Sequence, residues 1–218
     1  MSDREKLSEM LAALSISVSE KAITQLLHLR NELLRWNSTI NLTAIKNPDE
    51  AMEKHLVDSL TLLPFIEKNG NLLDLGSGAG FPGIPIKIVC PDLEVWSIDS
   101  NGKKIAFQNH MVRELSLQNF KACRLRAENL QDVKHIPKFG MIVARAFSGI
   151  LPILELAEPL LSEKGMIVAM KGPDGDRELA EAAPALAAAE MVCSGQHSLQ
   201  LPVSGASRTL FFFSRKNR

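Results

Sequence analysis

From residue 71 onward, seven short apolar runs alternate with stretches of helix length, and this alternation constrains the fold more than any other feature of the chain. The runs cover residues 72–75, 93–98, 120–125, 141–144, 166–170, 191–194 and 209–213. Each is too short for a buried helix, and such runs suit strands buried on both faces. Between them, residues 82–90, 102–116, 149–161 and 175–189 read as helices. Strand and helix in repeating order predict right-handed crossovers, hence an α/β fold with a mostly parallel sheet covered on both sides. The last two runs are linked by residues 195–207, too few for an obvious crossover, so the final strand is expected to pair antiparallel.

The first 65 residues follow a different pattern. Ser17 and Glu20 have capping-box spacing ahead of Ile23, Leu26, Leu27, Leu33 and Leu34, which recur on one helical face. Asn47-Pro48-Asp49-Glu50 then supplies a cap, a first-turn proline and early acids, opening a second helix through Leu56, Leu60 and Leu63 before Pro64. The expected division is a helical extension over residues 1–65 and a sheet domain over 66–218. With 45% hydrophobic residues the chain of 218 is no disordered polymer, and it holds no run of about 18 apolar residues that would cross a bilayer. Its opening Met-Ser-Asp-Arg-Glu-Lys lacks the apolar core of a signal peptide. Cys90, Cys123 and Cys193 are odd in number and widely spaced, which suggests neither a disulfide framework nor a metal motif. A cytoplasmic protein with no metal and no membrane partner is the expectation.

Lys plus Arg balance Asp plus Glu at 25 each, yet the charges are unevenly placed. Residues 101–145 hold nine basic residues against three acids, a net +6, and residues 191–218 carry +4, while residues 1–100 and 146–190 each carry −5. One side of the fold could therefore attract a polyanion, or the charges could be spread over solvated helix faces.

The segment Leu72-Leu73-Asp74-Leu75-Gly76-Ser77-Gly78-Ala79-Gly80-Phe81-Pro82-Gly83 joins the first strand to a helix. Glycines there allow a sharp turn and let a ligand approach with no Cβ in the way. Nineteen residues after Gly80, Asp99 ends the second strand, where a carboxylate can accept from both ribose hydroxyls. Gly78-x-Gly80-x-x-Gly83 also matches the dinucleotide fingerprint, which leaves an NAD-dependent oxidoreductase as an alternative. That fingerprint should begin directly at the strand end, and the pattern beginning there is Gly76-x-Gly78-x-Gly80 preceded by Asp74. An acid at this point suits the ammonium of an amino-acid moiety better than a pyrophosphate, and S-adenosylmethionine has that ammonium and a ribose but no phosphate. The cofactor reading therefore favours S-adenosylmethionine, with Gly78 and Asp99 as binding residues.

With Asp74-Leu75-Gly76-Ser77-Gly78-Ala79-Gly80, Asp99 and the strand order, the chain resembles the class I S-adenosylmethionine-dependent methyltransferases. That resemblance implies a Rossmann-like α/β fold, a seven-stranded mostly parallel sheet with an antiparallel last strand, here with an N-terminal helical extension. More narrowly, nearly the whole chain resembles the RsmG family, formerly called glucose-inhibited division protein B. The match rests on Trp36-Asn37, Asn41-Leu42-Thr43, His55 with Asp58-Ser59, Gly80-Phe81-Pro82-Gly83-Ile84-Pro85 and Gly102-Lys103-Lys104 with Phe107. It continues through Arg126-Ala127-Glu128, Arg145-Ala146-Phe147, Lys171-Gly172 and Arg208. The resemblance implies an enzyme that methylates N7 of one guanine, at position 527 in the 530 loop of 16S ribosomal RNA. Its partner would be that RNA or the small ribosomal subunit, met by a monomer. It implies further that Gly76, Phe81, Ala127, Glu128 and Arg145 touch the cofactor. Arg126, Arg145 and Lys171 are the expected catalytic residues, and Arg126, Lys171 and Arg208 the expected RNA contacts. Asp99-Ser100-Asn101-Gly102 departs from the more usual Asp-Ser-Leu-Gly while keeping its acid.

The residues offer no paired carboxylates, no Ser-His-Asp set and no metal spacing, and N7 methylation needs none of them. Guanine N7 carries a lone pair and no proton, so alignment and exclusion of water carry most of the rate. An arginine bidentate to O6 and N7 would block the reacting atom, so Arg126 and Arg145 must point elsewhere. His55 is expected to be partly buried and fixed by Asp58 three residues on, Trp36 to pack between helices, and Phe81 to face either cofactor or core. The basic tail 215–218 reads equally as a solvated end or a phosphate contact. A non-catalytic RNA-binding assembly module remains a second alternative, one with no need of Asp99.

Overall fold

A computed structural model describes residues 1–147 and 149–216. Helix α1 (Asp3–Ala13) opens with a capping box in which Ser2 Oγ accepts from the Glu5 N–H and Glu5 Oε2 from the Ser2 N–H, at 3.3 and 2.7 Å. Helix α2 (Glu20–Asn37) is capped by Ser19 rather than by Ser17. Ser19 has extended backbone directly before the first turn, so its Oγ reaches the Ala22 N–H at 3.2 Å, a distance closed to a side chain two residues earlier. Asn47 Oδ1 accepts from the Asp49 and Glu50 N–H groups and starts a helix that changes its winding twice. It runs as α3 (Pro48–Ala51), a π-helical stretch (Met52–Val57) and α4 (Asp58–Leu60).

The sheet follows in the strand order β3-β2-β1-β4-β5-β7-β6. Its strands are β1 (Asn71–Leu75), β2 (Glu94–Asp99), β3 (Phe120–Arg124), β4 (Phe139–Arg145), β5 (Leu161–Lys171), β6 (Met191–Gln200) and β7 (Ser207–Arg215). β1 pairs in parallel with β2 and β4, whereas β7 lies antiparallel between β5 and β6. β5 begins at Leu161, five residues before its apolar run, because Leu161 already pairs with Phe139 through a register shift. β6 likewise continues past its apolar start to Gln200 and closes on β7 as a hairpin.

Alternation along the central strands sorts the core into two layers. Leu72, Met141 and Val143 point to one face, where they join Leu26 and Leu33 of α2, Ile84 of α5 (Gly83–Val89) and Phe107 of α6 (Gly102–Glu114). Leu73, Ile142 and Ala144 point to the other, against Ile153 of α7 (Ile150–Ala157) and Leu186 of α8 (Gly175–Ala188). The N-terminal helices thus share one continuous core with the sheet. Leu26, Leu29 and Leu33 are wholly buried, and truncating any one to alanine would cost about 2–5 kcal/mol. Trp36 sits at this seam, edge-on to Phe107 and tilted against His110. Among the described residues, no helix is long and apolar enough to cross a membrane.

Candidate active site

The turn after β1 is built from three glycines with positive φ, Gly76 at 70°, Gly78 at 60° and Gly80 at 93°. A Cβ on Gly76 would lie 2.7 Å from the Phe147 ring and one on Gly80 would collide with the Ile84 side chain, so a side chain at either is strained by both contact and φ. Gly78 differs: a Cβ there would meet nothing nearer than Lys104 Nζ at 3.8 Å, and it faces open space. The turn is pinned from both sides. Gln108, wholly buried on α6, donates to Ser77 Oγ and to the Gly78 carbonyl at 2.9 and 2.8 Å. Asp99 Oδ2 accepts from the Gly78 N–H at 2.9 Å while its Oδ1 accepts from the Asn101 N–H at 2.7 Å. A carboxylate has about four acceptor sites, so Asp99 keeps capacity for a ligand.

Beneath the turn, Asp74 has no exposed surface. Its Oδ2 accepts from the Gly83 N–H at 2.8 Å, and its buried Oδ1 has no hydrogen-bond partner. Burial pushes this carboxyl up to about 7, helped by the nearby Asp99 and opposed by the Gly83 N–H and by Arg145. A buried acceptor lacking a donor and a glycine cradle open at Gly78 both fit the methionine end and ribose of S-adenosylmethionine. A cavity of about 340 Å³ opens beside them, lined by Gly76, Asp99, Lys104, Arg126, Glu128 and Phe147.

A second cavity of about 420 Å³ lies across Ala146 and Phe147, which line both. Its polar wall is a network centred on the π-helical stretch. Asp58, almost fully buried, takes Arg145 Nη1 on Oδ2 at 3.3 Å and Arg208 Nε on Oδ1 at 3.1 Å. Arg145 Nη1 also donates to the Lys54 carbonyl at 2.7 Å, and its Nη2 lies 3.4 Å from His55 Nδ1. That leaves His55 Nε2 to donate to Thr43 Oγ1 at 3.0 Å. The imidazole stacks on Phe81, with ring centroids 4.7 Å apart. Burial, and then the charge of Arg145, push His55 down to about 3, so it is neutral at physiological pH. Lys171 is buried as well, donating to the Phe147 carbonyl at 3.0 Å and lying 2.7 Å from Glu178 Oε2. Among the described residues, no group of three His, Cys, Asp or Glu is placed to hold a metal ion.

Residues 22–208 match the family model described as rRNA small subunit methyltransferase G. The chain belongs to that family. It is 46% identical to a ribosomal RNA small subunit methyltransferase G of Syntrophotalea carbinolica over 98% of both chains. It is 38% identical to that of Myxococcus xanthus, over 98% of this chain and all of the other. Among solved structures, TrmN from Thermus thermophilus superposes with a TM-score of 0.60 at 15% identity, over 76% of this chain and 53% of that one. A ribosomal protein L11 methylase from Lactobacillus delbrueckii gives 0.57 at 17%, over 79% and 81%. These two likenesses carry the class I methyltransferase fold alone. Family membership makes the chain a methyltransferase whose donor is S-adenosylmethionine, and it sets aside the oxidoreductase and the non-catalytic module.

Within this methyltransferase G frame the expected residues divide between the cavities. Gly76, Asp99, Arg126, Ala127 and Glu128 line the first, and Arg145, Lys171 and Arg208 the second. Arg126 is thus apart from Arg145, Lys171 and Arg208; it is exposed and shares its cavity with Asp99 and Lys104. Phe81 is buried under His55 in the core and lines neither cavity. His55 is not held by Asp58, whose oxygens are taken by the two arginines; Thr43 and Arg145 hold it instead. Arg215 of the basic tail is bound to Glu158 and to the Leu161 and Ser162 carbonyls, while Asn217 and Arg218 lie outside the described residues. Lys104, Gln108, Phe147 and Glu178 were not expected as site residues; Lys104 and Phe147 lie inside quoted motifs, Gln108 follows one, and Glu178 carries no local signal at all.

Proposed function

We propose that this chain transfers a methyl group from S-adenosylmethionine to N7 of a guanine in 16S ribosomal RNA, the donor resting against Gly76, Gly78 and Asp99 and the guanine entering beside Arg145, Lys171 and Arg208. One observation carries the reading: the glycine-turn cavity and the cation-lined cavity share Ala146 and Phe147 as a common wall at the end of β4. Held in the first cavity by Gly76, Gly78 and Asp99, S-adenosylmethionine would supply an electrophilic methyl carbon to N7, with the electron pair of the methyl–sulfur bond left on sulfur. N7 has no proton to lose, so the protein needs no base. His55 suits that requirement, being neutral, held at both ring nitrogens and too weak a base at about 3 to collect a proton. Arg145 is spent on Lys54, Asp58 and His55, which keeps its fork off the O6–N7 edge it would otherwise block. Lys171 holds the Phe147 carbonyl and so fixes the shared wall. Asp58 serves as the anchor that orients both guanidinium groups. A monomer working on the small ribosomal subunit in the cytoplasm completes the proposal.

The test is transfer of labelled methyl from S-adenosylmethionine to small-subunit RNA isolated from cells lacking this protein. Borohydride and aniline should then cleave the product at one guanine of the 530 loop. A methyl group found on an exocyclic amine, a carbon or a ribose oxygen refutes the N7 assignment.

A further inference from the structure

A third cavity is distinct from the two already assigned. About 470 Å³ in volume, it lies between the β6–β7 hairpin and the start of α8, and it shares Gly172 and Arg208 with the cation-lined cavity. Its lining is mostly polar: Ser198 and Gln200 on β6, Ser207 and Thr209 on β7, and Asp176 on α8. The Ser198 and Thr209 hydroxyls are 3.0 Å apart and exposed, so each keeps capacity for a ligand. A Cβ on Gly172, at the junction of the two cavities, would meet nothing within 4 Å, so the backbone there faces open space.

Arg208 stands at the same junction. Asp58 holds its Nε and the Ser207 carbonyl its Nη1, fixing the guanidinium while Nη2 takes part in neither bond. A fixed cation between two neighbouring cavities is where a phosphate linking two nucleotides would rest. Both volumes fall in the ~300–1,000 Å³ range of ligand sites. Resting on the reading of the cation-lined cavity as the guanine site, we infer that the third cavity binds the nucleotide adjacent to the target guanine in the RNA strand, with Arg208 on the phosphate between them. Hydroxyl and amide groups would meet its sugar and base edge, and Asp176 would accept from an exocyclic amino group, as carboxylates do from cytosine. Splayed single-stranded loops present bases in this way.

The test compares inhibitors of methyl transfer to small-subunit RNA: guanosine monophosphate against the dinucleotides GpC, GpA, CpG and ApG. For the wild-type protein one linkage order should inhibit about tenfold or more better than the mononucleotide, as one added base contact warrants. Ser198→Trp and Gln200→Trp place an indole in the cavity from exposed positions on an edge strand. Both should erase the dinucleotide advantage, leave inhibition by the mononucleotide unchanged, and keep wild-type affinity for S-adenosylmethionine as a check of folding. Equal inhibition by mononucleotide and dinucleotides in the wild type, or no inhibition by either while RNA is methylated, overturns the inference, as does an advantage that survives both substitutions. No methyl transfer to RNA by the wild type would instead overturn the function on which the inference rests.

Discussion

Asp74→Asn isolates the buried carboxyl beneath the glycine turn. In the unfolded chain Asp74 ionises near 3.8, and in the fold near 7, because burial penalises the charged form. Between those values the unfolded chain has released a proton that the folded protein still holds, so stability falls as pH rises across the window and levels off above about 7. The group has no exposed surface to soften this, and the shift amounts to about 4 kcal/mol at 1.36 kcal/mol per unit. Asparagine keeps an acceptor for the Gly83 N–H but removes the ionisation. Its amide leaves N–H groups unpaired, a pH-independent cost of about 1–3 kcal/mol. Urea unfolding of both proteins from pH 4 to pH 8 should therefore show the variant gaining on wild type by about 4 kcal/mol up to pH 7, then running parallel. The donor's ammonium beside Oδ1 would favour the ionised carboxylate, so binding near pH 6.5 should release a proton. Calorimetry in two buffers of different ionisation enthalpy measures it, and Asp74→Asn should abolish it. Stability curves parallel throughout, with proton release unchanged in the variant, would refute the assignment.

Asp58→Ala leaves two part-buried guanidinium groups without their carboxylate and should destabilise the protein by about 3–5 kcal/mol; among variants that still fold, Asp58→Asn should keep S-adenosylmethionine affinity and lose methyl transfer, read by calorimetry and single-turnover assay. With His55 pushed down to about 3, the single-turnover rate at saturating RNA and donor should be flat from pH 5.5 to 8, and a rise near 6.5 that vanishes in His55→Ala would contradict a base-free reaction. Gly78→Val adds methyl groups in the space facing the ligand and strains a φ of 60°, so donor affinity should fall at least tenfold; unchanged affinity in a folded variant would move the donor elsewhere. Asp99→Ala should weaken donor binding roughly ten- to a hundredfold, the value of a hydrogen bond to a charged group, and an unaltered dissociation constant would remove Asp99 from the ribose.

What the sequence made legible is local. Each strand announces itself by an apolar run, and the glycine turn and Asp99 are recognisable because each lies at a strand end. The antiparallel seventh strand followed from a link too short to cross over. Helix α1 falls inside the expected helical extension but was not delimited, although Ser2 and Glu5 carry the same capping-box signal that was read at Ser17. Long-range pairing was illegible for a physical reason: side chains are matched by the fold and not by spacing. His55 and Asp58 are three apart and looked like partners, yet Asp58 is satisfied by residues 87 and 150 positions away. Lys171, expected as a catalytic residue and RNA contact, is buried against Glu178, a partner that no spacing foretells. Even with the family known, the roles of Arg126 and Arg145 diverge only when the two cavities are seen.

The contacts that Glu53 and Asp58 make with the C-terminal hairpin also bear on when the protein can become active. Glu53 accepts the Val203 and Ser204 N–H groups at 2.6 and 2.9 Å, and Asp58 accepts Arg208, so both carboxylates wait on residues about 150 positions downstream. Contacts of such span close late, because the entropy of the intervening loop must be overcome before they form. A growing chain extended through Phe147 would hold the residues that line its donor cavity, while Arg145 lacked the neighbour that shares its anchor. Competence to bind the donor would precede competence to receive RNA, and a nascent chain would be unable to methylate the ribosome that is making it.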